Sequence, residues 1–176
     1  QYILLGHNCE KVELIIMGGT FPSFPKEYQE EFIKYAFKAM NDFSRIFYGL
    51  GKFNFLKFKQ FFELLTEMGK SNKINNKDNN TQKIIQQKLL KLKGECKLKQ
   101  EQHKNETSKI RCVALVIETR PDYAFLEQGN QLLRLGCTRV EIGIESVYDD
   151  VLKKLNRGHG TKETILAIKT LKDLGF

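Results

Sequence analysis

No two cysteines in this 176-residue chain stand in the C-x-x-C spacing of a ligand pair. The four are Cys9, Cys96, Cys112 and Cys137. Cys112 and Cys137 each open a strand-like run and read as small core hydrophobes. A disulfide framework is not expected, and a reducing, cytoplasmic setting is. His7, His103 and His159 fall in no metal-binding or nucleophile spacing, and no catalytic dyad is legible. His159, in "NRGHG", reads as a loop residue that stabilises a turn. Neither G-x-G-x-x-G nor a P-loop is present, which removes the usual nucleotide-phosphate cradles. No apolar run reaches the roughly 18 residues of a membrane span, and no secretory leader is visible. The chain starts at Gln1, ends one residue past Gly175, and reads as a segment of a longer protein.

What is present is unevenly distributed. The chain carries 29 Lys+Arg against 21 Asp+Glu, a net charge of +8. Residues 44–110 hold 15 basic and 6 acidic residues, so all of the excess lies in that stretch. Within it, "GKSNKINNKDNNTQK" (69–83) has almost nothing apolar and is expected to be a mobile loop. On either side, "FNFLKFKQFFELL" and "IIQQKLLKLKG" show apolar residues at mixed helical spacing with lysines between. The expectation is an inserted helical hairpin or a pair of short helices. Its lysines read either as a solvated helix face or as a phosphate-contacting surface, with Lys83, Lys88, Lys91 and Lys93 as the RNA-binding candidates. Phe53, Phe55, Phe58, Phe61 and Phe62 read as core or docking residues.

The flanks alternate between strand and helix. "VELIIM" (12–17), "CVALVIE" (112–118) and "RVEIGI" (139–144) read as buried strands. Helices are expected over 25–43, 123–135, 147–154 and 161–174, with Gly136 and Gly175 as C-terminal stops. Alternation of this kind gives an α/β fold with a parallel sheet and helices packed outside it. Three βα units cannot close a barrel, so a barrel parent would be represented here only in part. The division expected is barrel over 1–43, basic insertion over 44–110 and barrel again over 111–176.

Ligands of parallel α/β folds bind beyond the carboxyl ends of the strands. The three ends are "MGGTFPSFP", "ETRPD" and "GIES". Gly18 and Gly19 bare the backbone, and Thr20 adds a hydroxyl. Such a turn can bind a zwitterion through N–H and C=O groups, or it can be an ordinary tight βα turn. Glu118, Arg120 and Asp122 crowd charge at the next end, either paired among themselves or offered to ribose hydroxyls. Glu145 and Ser146 repeat the theme, and Glu141 and Glu145 lie four apart, so on a strand they share a face. No single end defines a site; the three together suggest one.

The stretches "LGH…EKVELIIMGGTFPSFP", "NET…RCVALVIETRPDY" and "LGCTRVEIGIESVYDDVLKKLNRGH" together resemble the radical S-adenosylmethionine domain of the catalytic subunit of Elongator, in its archaeal type. That family modifies the wobble uridine of tRNA. The resemblance covers residues 1–43 and about 105–176. It implies an incomplete parallel (β/α)6 barrel, of which three units lie here. It implies a [4Fe–4S] cluster that cleaves S-adenosylmethionine to a 5′-deoxyadenosyl radical, with acetyl-CoA as co-substrate and tRNA as acceptor. The acetyl-derived carbon would give a carboxymethyl group on carbon five of uridine, and an acetyltransferase-like domain C-terminal to the barrel would hydrolyse the thioester.

By the same resemblance Gly18, Gly19 and Thr20 would face the methionine part of the cofactor. Glu118, Arg120, Glu145 and Ser146 would line its ribose or adenine side. Lys11, otherwise a solvent-facing lysine before a strand, would bind acetyl-CoA. The cluster ligands would lie before Gln1, so none of the four cysteines here is assigned to it, and the isolated chain is expected to be inactive. Accessory subunits stay open. The alternatives are another radical enzyme acting on a small molecule, which would need neither Lys11 nor the basic insertion, and a non-catalytic tRNA-binding barrel, which would hold no iron.

Overall fold

Strand β1 (Lys11–Ile16) opens a parallel three-stranded sheet. The computed structural model describes residues 2–64 and 74–176. Helix α1 (Lys26–Phe47) follows, then a two-stranded hairpin of β2 (Tyr48–Gly49) and β3 (Lys52–Phe53). Helices α2 (Phe55–Phe61), α3 (Ile74–Lys93) and α4 (Leu98–Thr107) come next. Strand β4 (Arg111–Thr119), helix α5 (Leu126–Leu135) and strand β5 (Arg139–Ile142) return the chain to the sheet. Helices α6 (Asp149–Lys154) and α7 (Thr161–Asp173) complete it.

The long strand β4 lies centrally, in the order β1-β4-β5. It pairs in parallel with β1 from Lys11↔Arg111 to Ile16↔Ile117, and with β5 from Val116↔Arg139 to Thr119↔Ile142. The expected α/β class and parallel sheet are therefore what the chain forms. Side chains alternate across the sheet. Ile16, Leu115 and Ile117 point to one face, where Ile33 and Phe37 of α1, Leu98 of α4 and Leu132 and Leu135 of α5 close over them. Burying side chains of this size stabilises the fold by about 1.5–3 kcal/mol each. A smaller cluster of Ala124, Ala167 and Leu171 seats α7 beside it.

The opposite face is mixed: Val116 is buried there, while the residues around it are charged or part-exposed. There Arg139 of β5 reaches across β4 to Glu13 of β1 at 2.9 Å and also pairs with Glu141 at 3.0 Å. Ile15 and Met17 are 40% and 63% exposed. A parallel sheet is normally covered on both faces. A sheet clothed on one side, with an ionic and part-exposed other side, has the layout of a barrel wall seen from its lumen.

Two boundaries differ from the sequence reading. Helix α1 runs through residue 43 to Phe47, because Ser44 and Phe47 are buried with the rest of its apolar stripe. Helix α4 belongs to the barrel layer, not to the insertion. Its Leu98 is in the main core, its Gln102 amide donates to the Leu135 carbonyl at 2.9 Å, and its Asn105 side-chain Oδ1 accepts from the Cys112 N–H at 2.7 Å. What stands apart is β2 to α3. There Phe47, Phe58 and Phe62 make the aromatic contacts expected of docking residues, with ring centroids 4.9–5.9 Å apart. The loop expected over 69–83 lies outside the described residues up to 73, and from Ile74 onward the chain is helical. Asn and Lys favour loops only weakly, and the amphipathic run that follows extends α3 back into them.

Candidate functional site

The register aligns the strand ends. Ile16 pairs with Ile117 and Thr119 with Ile142, so the chain leaves β1, β4 and β5 at one edge of the sheet. Gly18–Gly19, Arg120 and Gly143–Ser146 all follow within a few residues of that edge.

The first end is anchored on one side and open on the other. Phe21 and Pro22 are buried. Gln29 of α1, itself 2% exposed, donates its side-chain amide to the Phe24 carbonyl at 2.7 Å and the Pro22 carbonyl at 3.3 Å. The Thr20 carbonyl accepts from both the N–H and the hydroxyl of Ser23, at 2.8 and 2.6 Å. Gly18 and Gly19, by contrast, have φ of +84° and +63°, and a Cβ at either would meet nothing within 4 Å. Glycine is thus required here by backbone conformation and not by crowding. Open space beside bare peptide groups is what a ligand backbone needs.

At the second end Glu118 is half-buried, on the same side of the sheet as Val116, and Arg120 turns to Asp122. The guanidinium donates to both carboxylate oxygens, at 2.9 and 2.6 Å. This is the internal pairing the sequence allowed. The third end departs from the simple strand picture. Strand β5 stops at Ile142, and Glu145 sits beyond it with φ +65°, so Glu141 and Glu145 are not strand neighbours on one face. The Glu145 carboxylate accepts from Arg157 at 3.2 Å, and the Ser146 hydroxyl accepts from the Tyr148 N–H at 3.1 Å.

The turn after α6 also reaches these strand ends, which no local pattern in the sequence announces. It supplies Arg157 to Glu145, and it brings the buried His159 ring within 3.3 Å of the Ile144 carbonyl and 3.8 Å of an Asp122 oxygen. The sequence signal was the polar cluster "NRGHG", read as a local turn because its partners are distant in the chain.

The other candidates lie elsewhere. Lys11 is at the amino-terminal edge of the sheet, about 20 Å away by the rise of a six-residue strand. There it borders a cleft of about 770 Å³ with Arg111, Arg134, Gln102 and Glu106. The four lysines of α3 do not act as a set. Lys88 donates to Glu63 and to the Phe61 carbonyl, Lys93 lies over the Tyr35 ring at 4.6 Å, and Lys83 and Lys91 are exposed. Cys137 is buried with its thiol pushed up to about 11 by desolvation, and burial likewise raises that of Cys112. Both belong to the helix side of the sheet. Among the described residues no group of three or more His, Cys, Asp or Glu is arranged to hold a metal ion. No helix among them is long and apolar enough to cross a membrane.

A parallel sheet with helices packed on it and its polar strand ends gathered at one edge has the layout of part of an α/β barrel. The chain belongs to the radical SAM superfamily, whose family model matches residues 80–176. It is 38% identical to a tRNA uridine(34) acetyltransferase of Methanocaldococcus infernus, over 98% of this chain and 23% of that protein. It is 36% identical to a tRNA uridine(34) acetyltransferase of Methanocaldococcus jannaschii over the same shares. It is 33% identical to Elongator complex protein 3 of Schizosaccharomyces pombe, over 98% of this chain and 22% of that one. A solved structure of the archaeal Methanocaldococcus infernus Elp3 with an N-terminal deletion superposes with a TM-score of 0.68 at 37% identity, covering 99% of this chain and 29% of that one. The chain thus spans under a quarter of the length of the curated relatives it matches.

Proposed function

We propose that this chain is the S-adenosylmethionine-binding wall of a radical enzyme that uses acetyl-CoA to carboxymethylate carbon five of the wobble uridine of tRNA. The observation that carries the reading is the open Gly18–Gly19 turn, in left-handed backbone and level with the Glu118 and Glu145 strand ends. Alignment over 98% of the chain with proteins named for tRNA uridine acetylation supports the substrate class.

The residues at the edge fit the proposed cofactor. The bare peptide groups at Gly18 and Gly19 would accept and donate hydrogen bonds to an amino-acid zwitterion. The half-buried Glu118 and the surface-held Glu145 would accept from ribose hydroxyls, and the Thr20 and Ser146 hydroxyls would complete the rim. The cofactor, when bound beside a reduced [4Fe–4S] cluster, supplies the hydrogen-abstracting radical. The ligands of that cluster would lie outside this chain on this reading. Lys11, with Arg111 and Arg134 beside the same cleft, would attract the phosphates of acetyl-CoA. Cytoplasmic location belongs to the same proposal.

The test uses the whole protein that contains this chain, reconstituted anaerobically. Supplied with S-adenosylmethionine, acetyl-CoA labelled in the acetyl group and tRNA, it should release 5′-deoxyadenosine and leave label on a wobble uridine. Lys11→Ala should lower acetyl-CoA use while sparing S-adenosylmethionine cleavage. Cleavage that needs no tRNA or acetyl-CoA and labels only a small molecule would favour the small-molecule alternative.

A further inference from the structure

The turn Asn156–Gly160 engages the second and third strand ends with three consecutive residues. Arg157 donates to the Glu145 carboxylate at 3.2 Å. Gly158 lies flat against the Arg120 guanidinium: a Cβ there would stand 1.9 Å from Arg120 Nη2 and 3.1 Å from Asp122 Oδ2. His159, whose side chain is 0% exposed, sets its Nε2 3.3 Å from the Ile144 carbonyl. Its Nδ1 faces Asp122 Oδ1 at 3.8 Å and has no hydrogen-bond partner among the described residues, and neither has the buried Nε of Arg157.

A turn needed only to join α6 to α7 has no use for these groups. Leaving a buried polar nitrogen without a partner costs about 1–3 kcal/mol, and an apolar residue could fill the same space. Left-handed backbone at a non-glycine residue such as Glu145 also costs free energy and persists only where surrounding contacts hold it. The Ser146 N–H closes this turn on the Ile144 carbonyl at 2.7 Å, and Arg157 on the Glu145 carboxylate and His159 on the same carbonyl tie it to the Asn156–Gly160 turn.

We infer that the turn Asn156–Gly160 is a latch that fixes the β4 and β5 ends relative to each other, with His159 as its positioning residue. The inference rests on the proposed cofactor pocket for its consequence, though not for the latch itself. His159 touches no ligand in this scheme. It holds Ile144, and with Arg157 it presents the Glu145 carboxylate, while Gly158 allows Arg120 to lie under the turn and stay on Asp122.

The experiment takes the whole protein and three variants. His159→Leu keeps bulk and removes the ring nitrogens. His159→Gln returns an N–H donor near the Nε2 position. Arg157→Gln frees Glu145 from a partly exposed residue whose loss leaves the core intact. Two readouts are taken: S-adenosylmethionine affinity by equilibrium dialysis, and hydrogen–deuterium exchange of the amides of residues 143–147. The latch predicts at least tenfold weaker binding and faster exchange in His159→Leu, recovery to within about threefold in His159→Gln, and a several-fold loss in Arg157→Gln with the unfolding midpoint unchanged. Cleavage at saturating S-adenosylmethionine should stay near the wild-type rate, since positioning acts on binding. Unchanged exchange in the folded variants would overturn the latch, as would unchanged affinity where the wild type binds. Should His159→Leu fail to fold, Arg157→Gln decides alone. A wild-type protein that binds no S-adenosylmethionine would sink the proposed cofactor pocket instead, and exchange at 143–147 would still decide the latch.

Discussion

Glu101 is 2% exposed, yet it is held as a carboxylate inside the α1–α4 contact. Desolvation pushes its carboxyl up, but hydrogen bonds from Lys104 and Asn41 outweigh it and leave the group below its ordinary value. The Lys104 ammonium lies 2.6 Å away and the Asn41 amide 2.9 Å. A carboxyl depressed in the folded state stabilises the fold above its unfolded value and loses that contribution as pH falls through the folded value. Stability should therefore be flat near neutrality and fall below about pH 4.5. Glu101→Ala should flatten part of that acid limb and cost about 1–3 kcal/mol at pH 7, since it removes a charge-assisted acceptor from Lys104 and one of the bonds of Asn41, whose amide keeps only the Glu101 backbone carbonyl. Urea melts from pH 3 to 7 would check both, and an identical acid limb in the variant would reject this role. Cysteine chemistry belongs to the same scale. With its thiol at about 11, Cys137 should resist alkylation at pH 8 while the part-exposed Cys96 reacts, as peptide mapping would reveal. Its burial was legible in the sequence. Glu101 was not, because its partner Asn41 lies sixty residues away and no local pattern announces the pair.

The elements show where local pattern suffices and where it fails. β1, β4 and α5 were legible because their apolar spacing and terminal glycines act locally: Gly136, at φ +84°, closes α5 as its position suggests. The affiliation of α4 was hidden. "LKQEQHKNET" has hardly any apolar stripe, and beyond the single core residue Leu98 what ties it to the sheet layer is polar, through Asn41, Gln102 and Asn105. The basic stretch likewise divides once side chains have neighbours. Lys88 serves the docking of α3 on α2 through Glu63 and Phe61, so Lys88→Ala should loosen that contact whether or not RNA is present. Lys83, Lys91 and Lys93 are exposed, Lys93 over the Tyr35 ring, which leaves Lys83 and Lys91 as the pair to test. If they meet phosphates, the double change Lys83→Ala/Lys91→Ala in the whole protein should lower the slope of log affinity for tRNA against log salt by about 0.7–0.9 per lost contact. A slope equal to wild type would mean that these lysines only solvate the helix, and that the RNA surface lies elsewhere.

At the scale of the molecule, a sheet with helices on one face and an ionic, part-open face on the other is a wall awaiting the rest of a barrel. Parallel topology brings three polar strand ends to one edge, and that much followed from the alternation of elements. The latch from Asn156 to Gly160 did not, because it depends on how α6 returns the chain over the edge. The most direct test of the account is equilibrium binding of S-adenosylmethionine to the whole protein, wild type against Gly19→Val. Valine at φ +63° adds about 1–2 kcal/mol of backbone strain and puts a branched side chain into the open space beside the turn. The buried Phe21 and Pro22, held by Gln29, keep the remainder of the loop in place. The account predicts affinity reduced at least tenfold with iron content close to wild type and an unfolding midpoint lowered by no more than the few degrees that this strain accounts for. Wild-type affinity in a folded, iron-loaded Gly19→Val protein would contradict it.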